Sequence, residues 1–201
     1  MKKSLQMIIV LVVVGIVSGT ALVYMYKYAQ PLIEENKKKA VQEAVFKVLP
    51  KAKTYEIIFV DNKQVYKVKD DKDQVIGYAF VASGNGYQGK IEIMVGIDQT
   101  FSQIKGIDIL TSVETPGLGA KIQGKPFKEQ FEDLKILPEI TCIKNQAPDA
   151  DNEIQAITGA TVSSSSVVKI LNKETAVLRK ALLKTDNEIQ AVNKHKAKSA
   201  D

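Results

Sequence analysis

The chain begins with a long uncharged stretch. Residues 7–26, MIIVLVVVGIVSGTALVYMY, carry no charged side chain, and about 20 apolar helical residues span the hydrocarbon core of a bilayer. Lys2 and Lys3 precede the stretch, and tyrosines follow it, as at membrane interfaces. A cleaved signal peptide has a shorter apolar region and a small-residue cleavage site, so we predict a retained transmembrane anchor over residues 1–28.

Residues 29–50 are predicted to form an amphipathic helix that connects this anchor to a folded domain. Pro31 ends the anchor helix or begins the next one, because its fixed φ suits a first helical turn. Apolar residues then recur at helical spacing as far as Leu49, where Pro50 ends the pattern. The lysines at 37–39 indicate a solvated face, with attraction to anionic lipid headgroups as the alternative.

From residue 54 the pattern changes to a period of two. Short runs of β-branched and aromatic residues alternate with clusters of Asp, Asn, Gly and Lys, which is typical of strands joined by turns. The runs are TYEIIFVD, QVYKVKD, VIGYAFVAS, GKIEIMVGID and SQIKGIDILTS. Their connections are too short for crossover helices, so we predict an antiparallel meander of about five strands with one buried face.

The remaining pattern predicts mainly helices. A short amphipathic helix is expected around 127–134 and a further strand around 140–143, before the loop NQAPDADNE. An apolar stripe over 167–182 predicts a longer helix that begins at Ser163 or Ser164.

The complete pattern predicts an α+β fold, an antiparallel sheet flanked by helices, behind one N-terminal transmembrane helix. The domain covers 51–184, and the polar residues 185–201 form a flexible tail. The formal charge of +5 includes three lysines beside the apolar segment, so the remainder is nearly balanced and no nucleic-acid-binding face is expected. Cys142 and His195 are each the only residue of their kind, which argues against a disulfide, a zinc site or a His-based triad.

A cluster of hydroxyl side chains precedes the last predicted helix. ITGATVSSSS, residues 157–166, contains four serines and two threonines. Ser163 or Ser164 is suited to cap the helix by accepting a hydrogen bond from a backbone N–H group. Backbone N–H groups at the positive end of a helix also bind phosphate. The spacing lacks the pattern of a nucleotide P-loop or a Rossmann fingerprint, and both capping and phosphate binding stay open.

A glycine-rich turn follows the fifth predicted strand. In ETPGLGAKI, residues 114–122, Pro116 fixes a turn residue, while Gly117 and Gly119 let the backbone approach a flat ligand. Leu118 lies between the glycines, where its side chain can press against a ring. The alternative is a purely structural turn from strand to helix, which glycine and proline commonly build.

The two motifs, Thr-Gly-Ala-Thr-Val-Ser-Ser and Glu-Thr-Pro-Gly-Leu-Gly, together resemble the FMN-binding domain of the Rnf electron-transport complex G subunit and its relative, the C subunit of the sodium-pumping NADH:quinone reductase. The order of the motifs, the strand GYQGKIEIMVGID and the single anchor also match. The resemblance implies FMN joined through its phosphate to the hydroxyl of Thr161 by a flavin transferase that uses FAD. The other residues implied at the phosphate are Thr158, Gly159, Ala160, Ser163 and Ser164. Gln155 stands where the family commonly carries an acidic residue.

The resemblance also assigns the isoalloxazine ring of FMN to the glycine-rich turn. The implied ring contacts are Glu114, Thr115, Gly117, Leu118, Gly119 and Lys121. Lys121 is the candidate cation that stabilises reduced, anionic flavin, and the alternative is an ordinary exposed lysine. Electron transfer needs no general acid, base or nucleophile, so no catalytic residue and no metal ligand are predicted.

The resemblance therefore implies a redox-carrier subunit, without independent activity, of an Rnf-type ferredoxin:NAD oxidoreductase that couples electron flow to Na+ or H+ translocation. Its partners are then the other membrane subunits, the flavin transferase and membrane lipid. The expected location is the bacterial cytoplasmic membrane, with one span and the C-terminal domain on the extracytoplasmic side. The alternatives are the quinone-reductase C subunit, a flavin-free membrane-anchored scaffolding module and a free-standing extracytoplasmic flavin reductase.

Overall fold

The computed structural model describes the backbone of residues 2–198 and the side chains of residues 3–182. The described chain forms two compact units that divide between Val41 and Gln42. The helices are α1 (Lys2–Val48), α2 (Lys125–Lys128) and α3 (Thr161–Lys198), with 3-10 turns at Gly119–Gln123 and Glu129–Phe131. The strands are β1 (Thr54–Val60), β2 (Lys63–Lys69), β3 (Val75–Asn85), β4 (Lys90–Ile97), β5 (Gln103–Ser112), β6 (Leu134–Lys135), β7 (Thr141–Ile143) and β8 (Glu153–Gln155).

The first unit is the part of α1 that precedes Gln42. Within the described residues, α1 is the one helix long and apolar enough to cross a membrane, and its most apolar stretch is not buried. The helix continues through Pro31, so the prediction that it ends or restarts there is wrong. Proline removes one backbone hydrogen bond, but strong helix formers follow it and the helix continues.

The second unit contains one antiparallel sheet in which β1 to β6 lie in chain order. This order confirms the predicted meander, and β1 to β5 agree closely with the five predicted runs. The strand predicted around 140–143 is β7, whereas β6, β8 and the parallel pairing of β7 with β8 are not predicted from the sequence. The helix expected around 127–134 is shorter, because α2 passes into a 3-10 turn that ends at Phe131.

Asp98 closes the turn between β4 and β5. Its Oδ1 accepts hydrogen bonds from the backbone N–H groups of Ser102, at 2.8 Å, and Gln103, at 2.9 Å. The hydroxyls of Thr100 and Ser102 donate to the other carboxylate oxygen. Burial alone would raise the pKa of Asp98, but these hydrogen bonds outweigh it and lower the pKa below its ordinary value. The folded state therefore favours the charged form of this carboxylate.

One face of the sheet packs against α3 and forms the main core. Ile91, Ile93 and Val95 of β4 are fully buried there beside Leu171 of α3. Cys142 lies partly buried at the edge of the same core. This packing joins the sheet to the helix that begins with the hydroxyl-rich motif.

The other face of the sheet is also covered, so the prediction of a single buried face is wrong. Gly96 and Gly106 are cross-strand partners, and a Cβ atom on either would come within 2.6 or 3.2 Å of the Val48 carbonyl oxygen at the end of α1. The missing side chains let the last turns of α1 pack directly on the strands. Every residue from Ile91 to Ile97 is buried as a result.

The helical backbone of α3 continues to Lys198, beyond residue 184, where the sequence analysis ends the domain. The flexibility expected of residues 185–201 stays a prediction, because their side chains lie outside the described part of the chain. The same is true of the predicted lack of a zinc or catalytic role for His195.

Candidate functional site

The start of α3 leaves backbone donors free. The helix begins at Thr161, two or three residues earlier than predicted, and the carbonyl of Ala160 accepts its first bond, from the Ser164 N–H at 2.9 Å. Alanine carries no side-chain acceptor that could cap the helix. The N–H groups of Thr161, Val162 and Ser163 find no acceptor among the residues that the structure describes. Such a helix start favours an anionic ligand.

Neither serine caps the helix, so that prediction is wrong. The Ser164 hydroxyl accepts a 3.1 Å hydrogen bond from the Ile157 N–H and donates a 3.0 Å bond to the Ala160 carbonyl. The Ser163 hydroxyl donates instead to Glu114, at 2.8 Å. Both side chains are buried, and both hold the loop before the helix in place.

The hydroxyl-rich motif and the glycine-rich turn lie against each other. Gly159 has a φ of +82°, which glycine adopts without steric cost. A Cβ atom at this position would lie 3.4 Å from Cδ2 of Leu118, so the Leu118 side chain lies beside Gly159. Thr158 and Gly159 are exposed, and Thr161 is half-buried. The structure therefore brings together motifs that lie about forty residues apart in the sequence.

Glu114 holds these segments together. It is only 6% exposed, and its Oε1 accepts hydrogen bonds from the backbone N–H groups of Tyr87, at 2.6 Å, and Gln88, at 3.4 Å. Its Oε2 accepts the bond from the Ser163 hydroxyl. The resemblance implies a ring contact at Glu114, and the structure places this carboxylate between the β3–β4 hairpin and the start of α3.

The rest of the glycine-rich turn packs over this carboxylate. A Cβ atom on Gly119 would come 2.7 Å from Oε2 of Glu114 and 2.8 Å from Oγ of Ser163, so only glycine fits without a shift. Gly117 has a φ of +76° and open space beside it. The turn therefore approaches the carboxylate through backbone atoms.

The side chains of the turn differ in their exposure. Thr115 is half-buried, and its carbonyl accepts the N–H groups of Leu118 and Ala120. The Leu118 side chain is 49% exposed. Lys121 is exposed on the 3-10 turn and forms no ion pair within the described part of the chain. An apolar side chain and a cation are thus both available to a ligand at this surface.

Sequence reasoning missed the β3–β4 hairpin as part of this region. Tyr87 and Gln88 stand at its tip and donate their backbone N–H groups to Glu114. The sequence does contain an indication of this hairpin, which is the tyrosine in the turn NGYQG. An aromatic ring at the tip of a tight hairpin has few residues of its own domain to pack against, so its presence there suggests a ligand or partner.

Two clefts of the second unit share no residue with either motif. One, of about 410 Å³, is lined by residues that include Phe101, Leu137 and Arg179. The other, of about 710 Å³, includes Lys51, Asp108 and further charged side chains. The exposed residues of the motifs therefore lie on a surface separate from these clefts.

Comparisons with known proteins point to one class of ligand. Residues 86–176 match the family model described as FMN-binding domain, and this range contains both motifs. The chain is 32% identical over 179 residues to the G subunit of the ion-translocating oxidoreductase complex of Methanosarcina acetivorans, in a match that covers 85% of this chain and 92% of the relative. It is also 32% identical over 183 residues to the G subunit of the Na+-translocating ferredoxin:NAD+ oxidoreductase complex of Acetobacterium woodii, with 82% and 86% covered.

A solved structure supports the fold. The crystal structure of Shewanella oneidensis NqrC superposes with a TM-score of 0.57 at 19% identity, in a match that covers 64% of this chain and 61% of that one. At this identity the likeness bears on the fold alone, and it agrees with the predicted α+β class.

Proposed function

Because the chain belongs to the family of G subunits of ion-translocating oxidoreductase complexes and contains their FMN-binding domain, we propose that it carries FMN in a phosphoester bond to Thr161. The chain is an FMN-binding subunit of an oxidoreductase complex of the Rnf or Nqr type.

The free start of α3 is the observation that carries this proposal. Three backbone N–H groups, on residues 161–163, have no acceptor within the described chain, and a phosphate with its negative charge is the ligand such groups favour. The Thr161 hydroxyl stands on the same turn. Ala160 and Gly159 add little bulk before it, so a phosphate can reach the hydroxyl and the N–H groups together.

The attachment reaction balances with FAD as the donor. The Thr161 hydroxyl loses its proton and its oxygen bonds to the phosphorus of the FMN half, while the bond to the adenylate half breaks and AMP leaves. A flavin transferase supplies the acid and base groups for this step. The free N–H groups at the helix start stabilise the phosphate charge in the product.

The glycine-rich turn is proposed to receive the isoalloxazine ring. Leu118 offers an exposed apolar surface next to Gly159, and Gly117 leaves its backbone open to a flat ligand. Lys121 is the exposed cation of this turn, and a cation near the ring favours reduced, anionic flavin. Bound FMN supplies the one- and two-electron chemistry, and the protein positions it.

A covalent bond suits a cofactor on an open surface. Thr158, Gly159 and Leu118 are exposed, so FMN bound beside them is open to solvent on at least one side. A tether keeps the cofactor at high local concentration beside its redox partners. We propose that these partners are the other membrane subunits of an Rnf-type complex that oxidises ferredoxin, reduces NAD and translocates Na+ or H+.

The apolar part of α1 is proposed to anchor the chain in the bacterial cytoplasmic membrane and its lipid. Its uncharged stretch has the length that a bilayer core requires. The second unit then lies on the extracytoplasmic side. Protease digestion of intact cells tests the side, because the domain is cleaved in intact cells only if it faces outward.

The attachment site is tested by producing the full chain together with a flavin transferase. We expect a fluorescent band on a denaturing gel, and no band for Thr161→Ala. Ser165→Ala removes a half-buried hydroxyl four residues later in α3 and is the matched control, which is expected to keep the band. Equal fluorescence of Thr161→Ala and the unsubstituted chain would contradict attachment at this residue. Absence of flavin from every protein would favour the scaffolding alternative.

A further inference from the structure

The tip of the β3–β4 hairpin carries an exposed aromatic ring. The turn is closed by a 2.7 Å hydrogen bond from the Gly86 N–H to the Gly89 carbonyl, and the Tyr87 side chain is 66% exposed. An aromatic side chain stabilises a fold mainly through the large area it buries. Packing within the described chain therefore does not explain the position of this ring.

Glu114 fixes this tip close to the start of α3. The Tyr87 N–H donates to one oxygen of the Glu114 carboxylate at 2.6 Å, and the Ser163 hydroxyl donates to the other at 2.8 Å. Because both donors contact one carboxylate, the Tyr87 nitrogen and the Ser163 oxygen lie within about 8 Å of each other. Thr161 is two residues before Ser163 in the same helical turn.

Two glycines allow the hairpin to pack closely against Glu114 and Val113. A Cβ atom on Gly86 would come 2.0 Å from Oε1 of Glu114, and one on Gly89 would come 3.1 Å from Cβ of Val113. A side chain on Gly86 would overlap its neighbours and one on Gly89 would be tightly packed, so the hairpin backbone lies close to the strand end that leads into the glycine-rich turn. The base of the Tyr87 side chain is held by a close-packed backbone.

Exposed apolar side chains are grouped on the segments that Glu114 joins. They are Tyr87 at 66%, Val113 at 62%, Leu118 at 49% and Val162 at 56% exposure. Single exposed apolar residues are normal on a protein surface, whereas a group of them marks a binding surface. The isoalloxazine ring is flat and largely apolar, and such rings pack against aromatic side chains in offset or edge-to-face geometry.

We propose that the Tyr87 ring packs against the isoalloxazine ring of FMN held at Thr161, so that the β3–β4 hairpin forms a third wall of the flavin site. This inference rests on the proposed function. It has an optical consequence, because a phenol in contact with excited flavin donates one electron to it and regains that electron from the flavin radical. The cycle has no net chemistry, but it quenches the flavin fluorescence.

The test compares two conservative substitutions in the full chain carrying its flavin. Tyr87→Phe keeps the ring and removes the phenol, so we expect a severalfold longer fluorescence lifetime. Tyr87→Trp restores an easily oxidised ring, and we expect the short lifetime to return. Tyr55→Phe is the matched control on β1, where Tyr55 packs against Phe46 and Tyr66, and the lifetime should not change.

Intact mass, measured on each protein, separates the two levels of the proposal. Flavin attached to Thr161 with the same lifetime in Tyr87→Phe and the unsubstituted chain would overturn the role of Tyr87 and leave the proposed function standing. Lack of any flavin on the unsubstituted chain would overturn both. An equal lengthening in Tyr55→Phe would show that the lifetime does not report contact with Tyr87, and would also overturn the inference.

Discussion

Removal of the Glu114 carboxylate is expected to destabilise the second unit markedly, even without flavin. The carboxylate accepts one bond from the Ser163 hydroxyl and two from the backbone of the β3–β4 hairpin, of which the bond to Gln88 is long at 3.4 Å. Hydrogen bonds to a charged group contribute about 1.5 to 3 kcal/mol each, and a buried donor left unpaired costs about 1 to 3 kcal/mol. Ser163 is 3% exposed, whereas water can reach the hairpin tip.

These terms predict that Glu114→Ala lowers the free energy of unfolding by about 3 kcal/mol, with one buried hydroxyl unpaired and the hairpin N–H groups partly hydrated. Glu114→Gln is expected to cost only about 1 kcal/mol, because the amide oxygen still accepts from Tyr87 and the amide nitrogen can donate to Ser163. Since native domains are stable by about 5 to 15 kcal/mol, both variants should still fold.

The assay is urea unfolding of the full, flavin-free chain in non-ionic detergent, followed by circular dichroism. Ser163→Ala and the double variant with Glu114→Ala complete a thermodynamic cycle, and we expect the losses to be clearly less than additive. Equal losses for Glu114→Ala and Glu114→Gln would refute the hydrogen-bond account of this carboxylate. Additive losses in the cycle would refute the contact between residues 114 and 163.

Three further substitutions test other contacts. Gly119→Ala should lower both stability and flavin loading, measured by urea unfolding and flavin absorbance, because its Cβ atom would overlap the carboxylate of Glu114. Gly96→Ala should cost about 1 to 3 kcal/mol in urea unfolding, since its Cβ atom would lie 2.6 Å from the Val48 carbonyl oxygen. The folded state lowers the pKa of Asp98, so its contribution to stability is present above about pH 4 and is lost as the pH falls through the folded pKa. Asp98→Asn should therefore lower the unfolding free energy at pH 7 and reduce the further loss of stability as the pH falls below about 4.

Each of these has an outcome that would contradict it. Gly117→Ala is the control for Gly119→Ala, because the backbone of Gly117 has a positive φ but a Cβ atom there would contact no neighbouring atom. Equal flavin loading in both variants would show that overlap between the Cβ atom of residue 119 and Glu114 does not affect loading. An unchanged urea midpoint for Gly96→Ala would mean that the end of α1 does not pack against Gly96 and Gly106. An Asp98→Asn variant with the same acid profile as the unsubstituted chain would exclude this carboxylate as a source of acid sensitivity.

The strands of the sheet were predictable because each carries its own alternating pattern. Burial of both faces at β4 was also signalled, since KIEIMVGI is nearly continuous in apolar residues. The end of α1 packs on the second face of the sheet over Gly96 and Gly106. These two glycines are cross-strand partners, and their pairing cannot be recognised until the register of β4 and β5 is known. The strand β8 was not predicted, because its three residues are too few for a period to be recognised.

The candidate site was only partly predictable, for a physical reason. Local capping rules place Ser163 or Ser164 at the helix end, but the Ser163 hydroxyl bonds to a carboxylate 49 residues away. No local pattern encodes such a bond, and it leaves Ala160 before the helix and the N–H groups of the first turn free. The two motifs were recognisable from their residue types, whereas the hairpin that also bonds to Glu114 was not.

The most direct test of covalent FMN on this protein is the intact mass of the chain purified from its native membrane, with peptide mapping of residues 157–169. We predict one added FMN, joined with loss of water, on the peptide that contains Thr161 and at that residue. An unmodified Thr161 in native material, with no flavin fluorescence on a denaturing gel, would contradict it.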